Sequence, residues 1–127
     1  MERKIIVYGN PDRTELGFPT EQHFRHYIAE GIFSDEGGRY RFTQKKKADI
    51  IVLSREGFAH GHFVVSSMDA PSPHDIQAYP KVKQVYCIAK SILYRNKVKL
   101  SNLNITGFQF GRYLSELEFE EIAKFAG

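Results

Sequence analysis

The segment Ala48–Val65 constrains this chain more than any other. Asp49–Ser54 (DIIVLS) reads as one strand. Glu56-Gly57 reads as the turn, and Phe58–Val65 (FAHGHFVV) as the partner strand. Two apolar runs joined by a two-residue turn form an antiparallel hairpin. Gly61 interrupts the return strand, and a glycine there marks a bulge or a close approach by another backbone. A chain built around this hairpin is organised by a sheet.

The flanking segments add strands and helices in a definite order. Lys4–Tyr8 (KIIVY) predicts a buried first strand, broken by the turn-rich Gly9-Asn10-Pro11-Asp12. A helix follows, with Thr20 as N-cap, an apolar stripe of Phe24, Tyr27 and Ile28, and Gly31 as its stop. Asp35-Glu36-Gly37-Gly38 is a turn, and Arg39–Thr43 (RYRFT) alternates as a short strand does. Met68–Pro80 reads as loop, with one short helix after Ser72-Pro73. Val82–Tyr94 is a long, bent strand, and Asn96, Asn102 and Asn104 punctuate a meander beyond it. Ser115-Glu116-Leu117-Glu118 is a capping box that opens a terminal helix, with Phe119, Ile122 and Ala123 facing inward. No repeat, linker or low-complexity segment divides the chain. The expected architecture is a single α+β domain over residues 1–127: a small curved or closed β-barrel flanked by two or three helices.

The composition supports one core. Of 127 residues, 42% are hydrophobic and 13% aromatic. Cys87 is the only cysteine, so no internal disulfide forms, and no cysteine cluster offers a structural zinc site. Its apolar flanks predict a buried thiol in a reducing compartment. The apolar run in MERKIIVYGN is too short for a signal sequence, and no segment approaches the roughly 18 apolar residues of a spanning helix. The expected location is the cytoplasm, with no membrane partner.

Charge points to a partner class. The net charge is only +3, but from Ile76 to Ser115 no Asp or Glu occurs. That stretch carries Lys81, Lys83, Lys90, Arg95, Lys97, Lys99 and Arg112, with Tyr79, Tyr86, Tyr94, Phe108, Phe110 and Tyr113 among them. Positive charge without local neutralisation attracts phosphate, and exposed rings stack on bases. The alternative is a sheet whose outer, solvated face is basic. The Lys45-Lys46-Lys47 run divides the same way, between a phosphate-facing edge and a solvated turn.

Three motifs carry a family resemblance. ADIIVLSREGFAHGHFVV has Asp49 at the strand entry, a charged Arg55-Glu56-Gly57 turn, and Gly61 before apolar residues. VYCIAKSILYRNKVKLSNLNI is a strand followed by a basic-apolar segment and a Leu-Ser-x-Leu step. Phe110-Gly111-Arg112 stands shortly before the Ser115 helix. With this order of elements, the chain resembles the PUA-like superfamily, especially its EVE and YTH-like branches. The chain departs from the pattern in having no tryptophan, so any aromatic cage uses Tyr and Phe. Strand one also lacks the usual aromatic at its start, although Tyr8 stands at its end.

The resemblance implies a nucleic-acid reader that recognises a modified base, with DNA favoured over RNA. It implies the targeting domain of a modification-dependent restriction enzyme, of the kind fused to HNH nucleases or McrB-type NTPase motors. The superfamily's pocket lies near the end of strand one and the following loop, which here offers Tyr8, Gly9, Asn10, Arg13 and Phe18. The amide of Asn10 both donates and accepts, as pairing with a base edge requires; its other reading is a self-capping turn. Ser67 and Asp69 follow the hairpin toward the same mouth. Asp69 either accepts a base amino proton or caps the helix after Ser72. Gln109 between Phe108 and Phe110 matches a groove-inserting amide, or a strand with its rings in the core. Arg112 and Lys81, Lys83, Arg95, Lys97 and Lys99 complete the expected nucleic-acid contacts.

Other chemistries have weaker support. His60 and His62, two apart on one strand, need a third ligand such as Cys87 or His74 to hold a metal, and no spacing demands it. No metal or cofactor is expected. The sequence has no Gly-rich phosphate loop, no G-x-S-x-G elbow and no nuclease-like Asp…Glu-x-Lys cluster, so a binding domain is expected rather than an enzyme. An RNA-binding PUA-like module and an ASCH-like nucleoside hydrolase are the alternatives.

Overall fold

A computed structural model describes residues 3–9, 18–107 and 111–127. Six strands form one sheet in the order β2-β5-β4-β3-β1-β6: β1 (Ile5–Gly9), β2 (Arg39–Phe42), β3 (Ile50–Arg55), β4 (Phe58–Asp69), β5 (Gln84–Lys99) and β6 (Arg112–Leu114). All neighbours are antiparallel except β1 and β3, which run in parallel. The sheet is curled but not closed, since β2 and β6 are its two edges. The curl brings Tyr8 of β1 edge-on to Phe42 of β2, with ring centroids 4.8 Å apart. The chain between β2 and β3 bridges the gap. The Lys46 carbonyl accepts hydrogen bonds from Tyr86 Oη and Gln84 Nε2, and the Lys46 ammonium reaches the Gly111 carbonyl. Lys46 therefore works inside the structure, while Lys45 and Lys47 are exposed.

Helices cover both faces. Inside the curl, α1 (Glu21–His26) passes through a π-helical turn, Tyr27–Gly31, into α2 (Ile32–Ser34). This unit buries Phe24, Ile28 and Ile32 against Ile51, Leu53, Phe63, Tyr40, Phe42 and Tyr86. On the outer face, α4 (Glu116–Ala126) packs Phe119 and Ile122 against Ile5, Val7, Val52, Tyr94 and Val98. Two separate apolar clusters on one sheet explain why β1 and β3 are buried along almost their whole length. The short α3 (Pro73–Ala78) lies between β4 and β5.

The hairpin forms as expected. Glu56 and Gly57 have φ of 53° and 84°, the left-handed pair that matches strand twist in a two-residue turn. Gly61 combines a bulge with a close approach. The β3–β4 register slips by one residue at His60, and a Cβ on Gly61 would lie 2.7 Å from Ile28 Cγ2 and against the Ile92 carbonyl.

Several expectations need correction. Gly31 does not stop the helix. The π turn carries the chain past it with a helical φ of −59°, and the helix ends at Asp35. Ser91 donates its hydroxyl to the Ile28 carbonyl, a non-helical partner for a helical carbonyl in the widened turn. Met68 and Asp69 belong to β4, and Asn96 lies within β5. Helix α3 is capped by Ser72, with Asp75 rather than Asp69 as the acid that completes the capping box. Ala126 is buried in place of Ala123, because it continues the i, i+3, i+7 stripe set by Phe119 and Ile122. Cys87 is half-buried, and its thiol donates to Asp69 Oδ2 at 3.2 Å. Among the described residues, no helix is long and apolar enough to cross a membrane.

Candidate functional site

A cleft of about 120 Å³ opens where the π turn, β2 and α3 meet, walled by Phe18, Tyr27 and Tyr79 and floored by Glu36, Arg39 and Arg41. Local rules place each wall. Thr20 caps α1, its hydroxyl accepting the His23 N–H at 3.2 Å, which sets Phe18 just before the helix. Phe18 packs on Tyr27 with centroids 4.6 Å apart. Gly31 leaves room for the Tyr27 ring: a Cβ there would sit 3.3 Å from Tyr27 Cδ1. Tyr79 ends α3, where its N–H bonds the Asp75 carbonyl.

The floor comes from strand alternation. Tyr40 and Phe42 enter the core, so Arg39 and Arg41 share the opposite face of β2. Both converge on Asp75, whose side chain is 1% exposed: Arg39 Nη2 lies 2.7 Å from Oδ2 and Arg41 Nε 3.0 Å from Oδ1. Arg41 also donates to Glu36 at 2.6 Å. The Arg39 guanidinium, joined by the Ser72 N–H and hydroxyl and by Arg41, holds the Asp75 carboxyl well below the usual carboxylate range, against the opposing effect of burial. Two cations thus meet two carboxylates. The cleft is close to electroneutral while still presenting planar guanidinium donors, a carboxylate acceptor and three rings. A flat, uncharged, hydrogen-bonding ligand suits it better than a phosphate does.

The structure disperses the other predicted residues. Phe18 lines the cleft, and Tyr8 packs on the inner core, its carbonyl accepting from Ser54 Oγ at 2.9 Å. Asn10, Arg13 and Gln109 lie outside the described residues. Ser67 is exposed on β4 opposite Cys87. Asp69 lies 3.6 Å from Arg39, at the border of the cleft's ion-pair network. Lys83 borders a hollow of about 280 Å³ with Lys45 and Asp69, and Lys81 is exposed in the preceding turn. Arg95, Lys97 and Lys99 stand at the opposite end of the β4–β5 ribbon. The acid-free stretch therefore makes two basic regions, and distant acids neutralise part of it: Lys97 pairs with Glu21 at 2.9 Å and Arg112 with Glu118 at 3.0 Å.

His60 and His62 do not share a face. The bulge at His60 turns its ring inward, edge-on to Phe24 at 5.5 Å, whereas His62 lies on the outer side against Phe119 at 5.2 Å. His60 Nδ1 faces Arg25 Nη1 at 3.2 Å and so accepts from it, leaving the proton on Nε2 toward Glu21 at 3.7 Å. Burial brings the His60 pKa down to about 4; Glu21 opposes the fall and Arg25 adds to it. His62 shares a hydrogen bond with Tyr94 Oη at 2.8 Å and is also brought to about 4, by burial and then by Arg3 and Lys90. A single metal cannot use both rings.

Glu36, Arg39, Arg41, Asp75 and Tyr79 were not among the expected site residues. One signal was available: two arginines at i and i+2 of a strand share a face and need carboxylates or solvent. The Ser72-Pro73-His74-Asp75 start of α3 supplied the carboxylate.

No protein-family model matches the chain, and no curated protein does. Among solved structures, the chain is similar to the YTH domain of the Zygosaccharomyces rouxii MRB1 protein, determined in complex with N6-methyladenosine RNA. The match has a TM-score of 0.51 at 10% identity and covers 97% of this chain and 86% of that one. The likeness is one of fold: an α+β domain with a YTH-like arrangement of sheet and helices.

Proposed function

We propose that this chain is a nucleic-acid-binding module that holds one modified base, extruded from its stack, in the cleft between Phe18, Tyr27 and Tyr79. The observation that carries the reading is the cleft itself: three rings around a charge-balanced pair of arginines and carboxylates, in a fold shared with a domain solved bound to N6-methyladenosine RNA. Extrusion costs a few kcal/mol. Stacking contributes roughly 1–3 kcal/mol per base toward that cost. Glu36 is placed to accept an amino proton, and the guanidiniums to donate to a ring nitrogen or carbonyl. The module itself binds and does no chemistry. In this reading its target is modified DNA, and its role is to direct a restriction nuclease or an McrB-type NTPase.

A second reading takes RNA as the target. It is favoured by the RNA in the YTH complex. One experiment separates the two: fluorescence anisotropy with matched DNA and RNA oligonucleotides, each carrying one modified base or none, at a single salt concentration. The expected result is tighter binding of one modified oligonucleotide than of its unmodified twin, with brighter emission from 2-aminopurine placed beside the target base. Equal affinity for every modified and unmodified pair would refute the base-reading role.

A further inference from the structure

Near the end of β5 the register with β4 breaks. Gly61 pairs with Leu93 and Ala59 with Val98, so two steps on β4 face five on β5. The surplus residues leave the ladder, and Arg95, Asn96 and Lys97 are exposed in succession, which regular strand alternation does not permit. Lys99 is exposed just beyond the buried Val98. On one side of this shelf lies a hollow of about 430 Å³ bordered by Glu21, Arg25, Arg95 and Lys97. On the other lies a groove of about 420 Å³ between Phe58 and Phe125, with Lys97, Lys99, Asn102 and Leu103. Lys97 borders both.

The chemistry of this surface is specific. Lys97 Nζ sits 4.7 Å above the Phe58 ring and 2.9 Å from Glu21. Arg25 is held by the Tyr94 carbonyl at 2.6 Å. Among the described residues bordering the two hollows, Glu21 is the only carboxylate, against the cations Arg25, Arg95, Lys97 and Lys99. Phe125 is 53% exposed at the end of α4, so folding leaves much of its ring in water. Rings beside lysines and an amide, with little opposing charge, match the stacking platform and cationic track that hold unpaired strands.

We propose that this groove is a second nucleic-acid surface, which stacks a base of an unpaired, unmodified strand between Phe58 and Phe125 and seats the flanking phosphates on Arg95, Lys97 and Lys99. The surface is separate from the base cleft and tolerates any sequence, because every base has a π face and the cations contact only the backbone. An acidic peptide would meet the cations but leave the rings without a planar partner.

The test is anisotropy of fluorescein-labelled oligo(dT) and oligo(U) with the full chain over a range of salt. Affinity should fall with a log–log slope of about −0.7 per phosphate contacted, and Lys99→Gln should make the slope shallower by about 0.7. Phe125→Ala should weaken binding about ten-fold without changing the slope. Photocrosslinking of a 5-iodouracil oligonucleotide to the wild-type chain should map to Phe58 or Phe125, a readout that needs no variant to fold. Unchanged binding in both variants, crosslinks found only elsewhere, or displacement by polyglutamate at equal charge concentration would each overturn the proposal. Loss of modification selectivity with oligo(dT) or oligo(U) binding intact would refute the cleft reading alone. The reverse pattern would refute this one alone.

Discussion

Arg39 Nη2 stands 2.7 Å from Asp75 Oδ2, and this ion pair joins the outermost strand of the sheet to the first turn of α3. The same carboxylate completes the capping box with Ser72, so one side chain starts a helix and anchors the floor of the cleft.

Asp75→Asn should therefore cost about 3 kcal/mol, because two guanidiniums lose their shared buried partner. The Asp75 pKa lies below its unfolded value, so its stabilisation is complete above the unfolded pKa of roughly 4 and is lost as pH falls toward the folded value. The gap between wild type and variant in urea unfolding should be wide at pH 7 and narrow below pH 4. A gap that does not change with pH would show that the ion pairs are not its source.

Tyr79→Ala should cost roughly 1–3 kcal/mol in affinity for the modified base and leave oligo(dT) binding unchanged. Glu36→Gln should lower the preference for modified over unmodified target, because a carboxylate acceptor becomes an amide. Circular dichroism confirms folding in each case. Unaltered preference in both variants would move the base site away from this cleft.

His60 and His62 make stability depend on pH in a separate window. Their folded pKa values of about 4 lie below the ordinary 6.5, so between those limits the unfolded chain binds protons that the native chain refuses. Stability is fully present above the unfolded value and falls on acidification, by up to about 1.4 kcal/mol per pH unit for each histidine. Urea midpoints should drop between pH 7 and pH 5, and replacing both residues by Gln should flatten the profile. A flat wild-type profile would contradict the assigned burial.

Gly61→Ala should destabilise by about 2 kcal/mol or more, since the added methyl meets the Ile92 carbonyl and Ile28 Cγ2. The same change at Gly57, where nothing lies within 4 Å, adds only the strain of a left-handed φ of 84°. Paired denaturation curves check the difference, and a smaller loss at Gly61 would mean that the two strands can move apart.

What was legible in the sequence was what short segments decide alone. The β3–β4 hairpin, the Thr20 cap and the Ser115 capping box each lie within a few neighbouring residues, and each formed as read. The floor of the cleft was not legible, because Asp75 meets Arg39 and Arg41 from 36 and 34 residues away, and a capping acid looks the same with or without a second partner. The acid-free stretch was legible only in part for a related reason: Glu21 reaches Lys97 across 76 residues, so local absence of acid does not mean absence of every counter-charge. Gly31 was read as a stop because glycine commonly closes a helix, yet here it makes room for the Tyr27 ring that lines the cleft.

The extra residue at His60 gives the hairpin one residue of slack. Deleting His60 itself would restore strict alternation and leave Ala59 opposite Ser54 and Gly61 opposite Leu53, each on its present side. A change of one residue is therefore absorbed at this point of the strand. Deleting His60 should keep inside and outside unchanged along β4, whereas deleting Val52 from the unbulged β3 should exchange them, a difference that denaturation curves of the two deletion variants would expose.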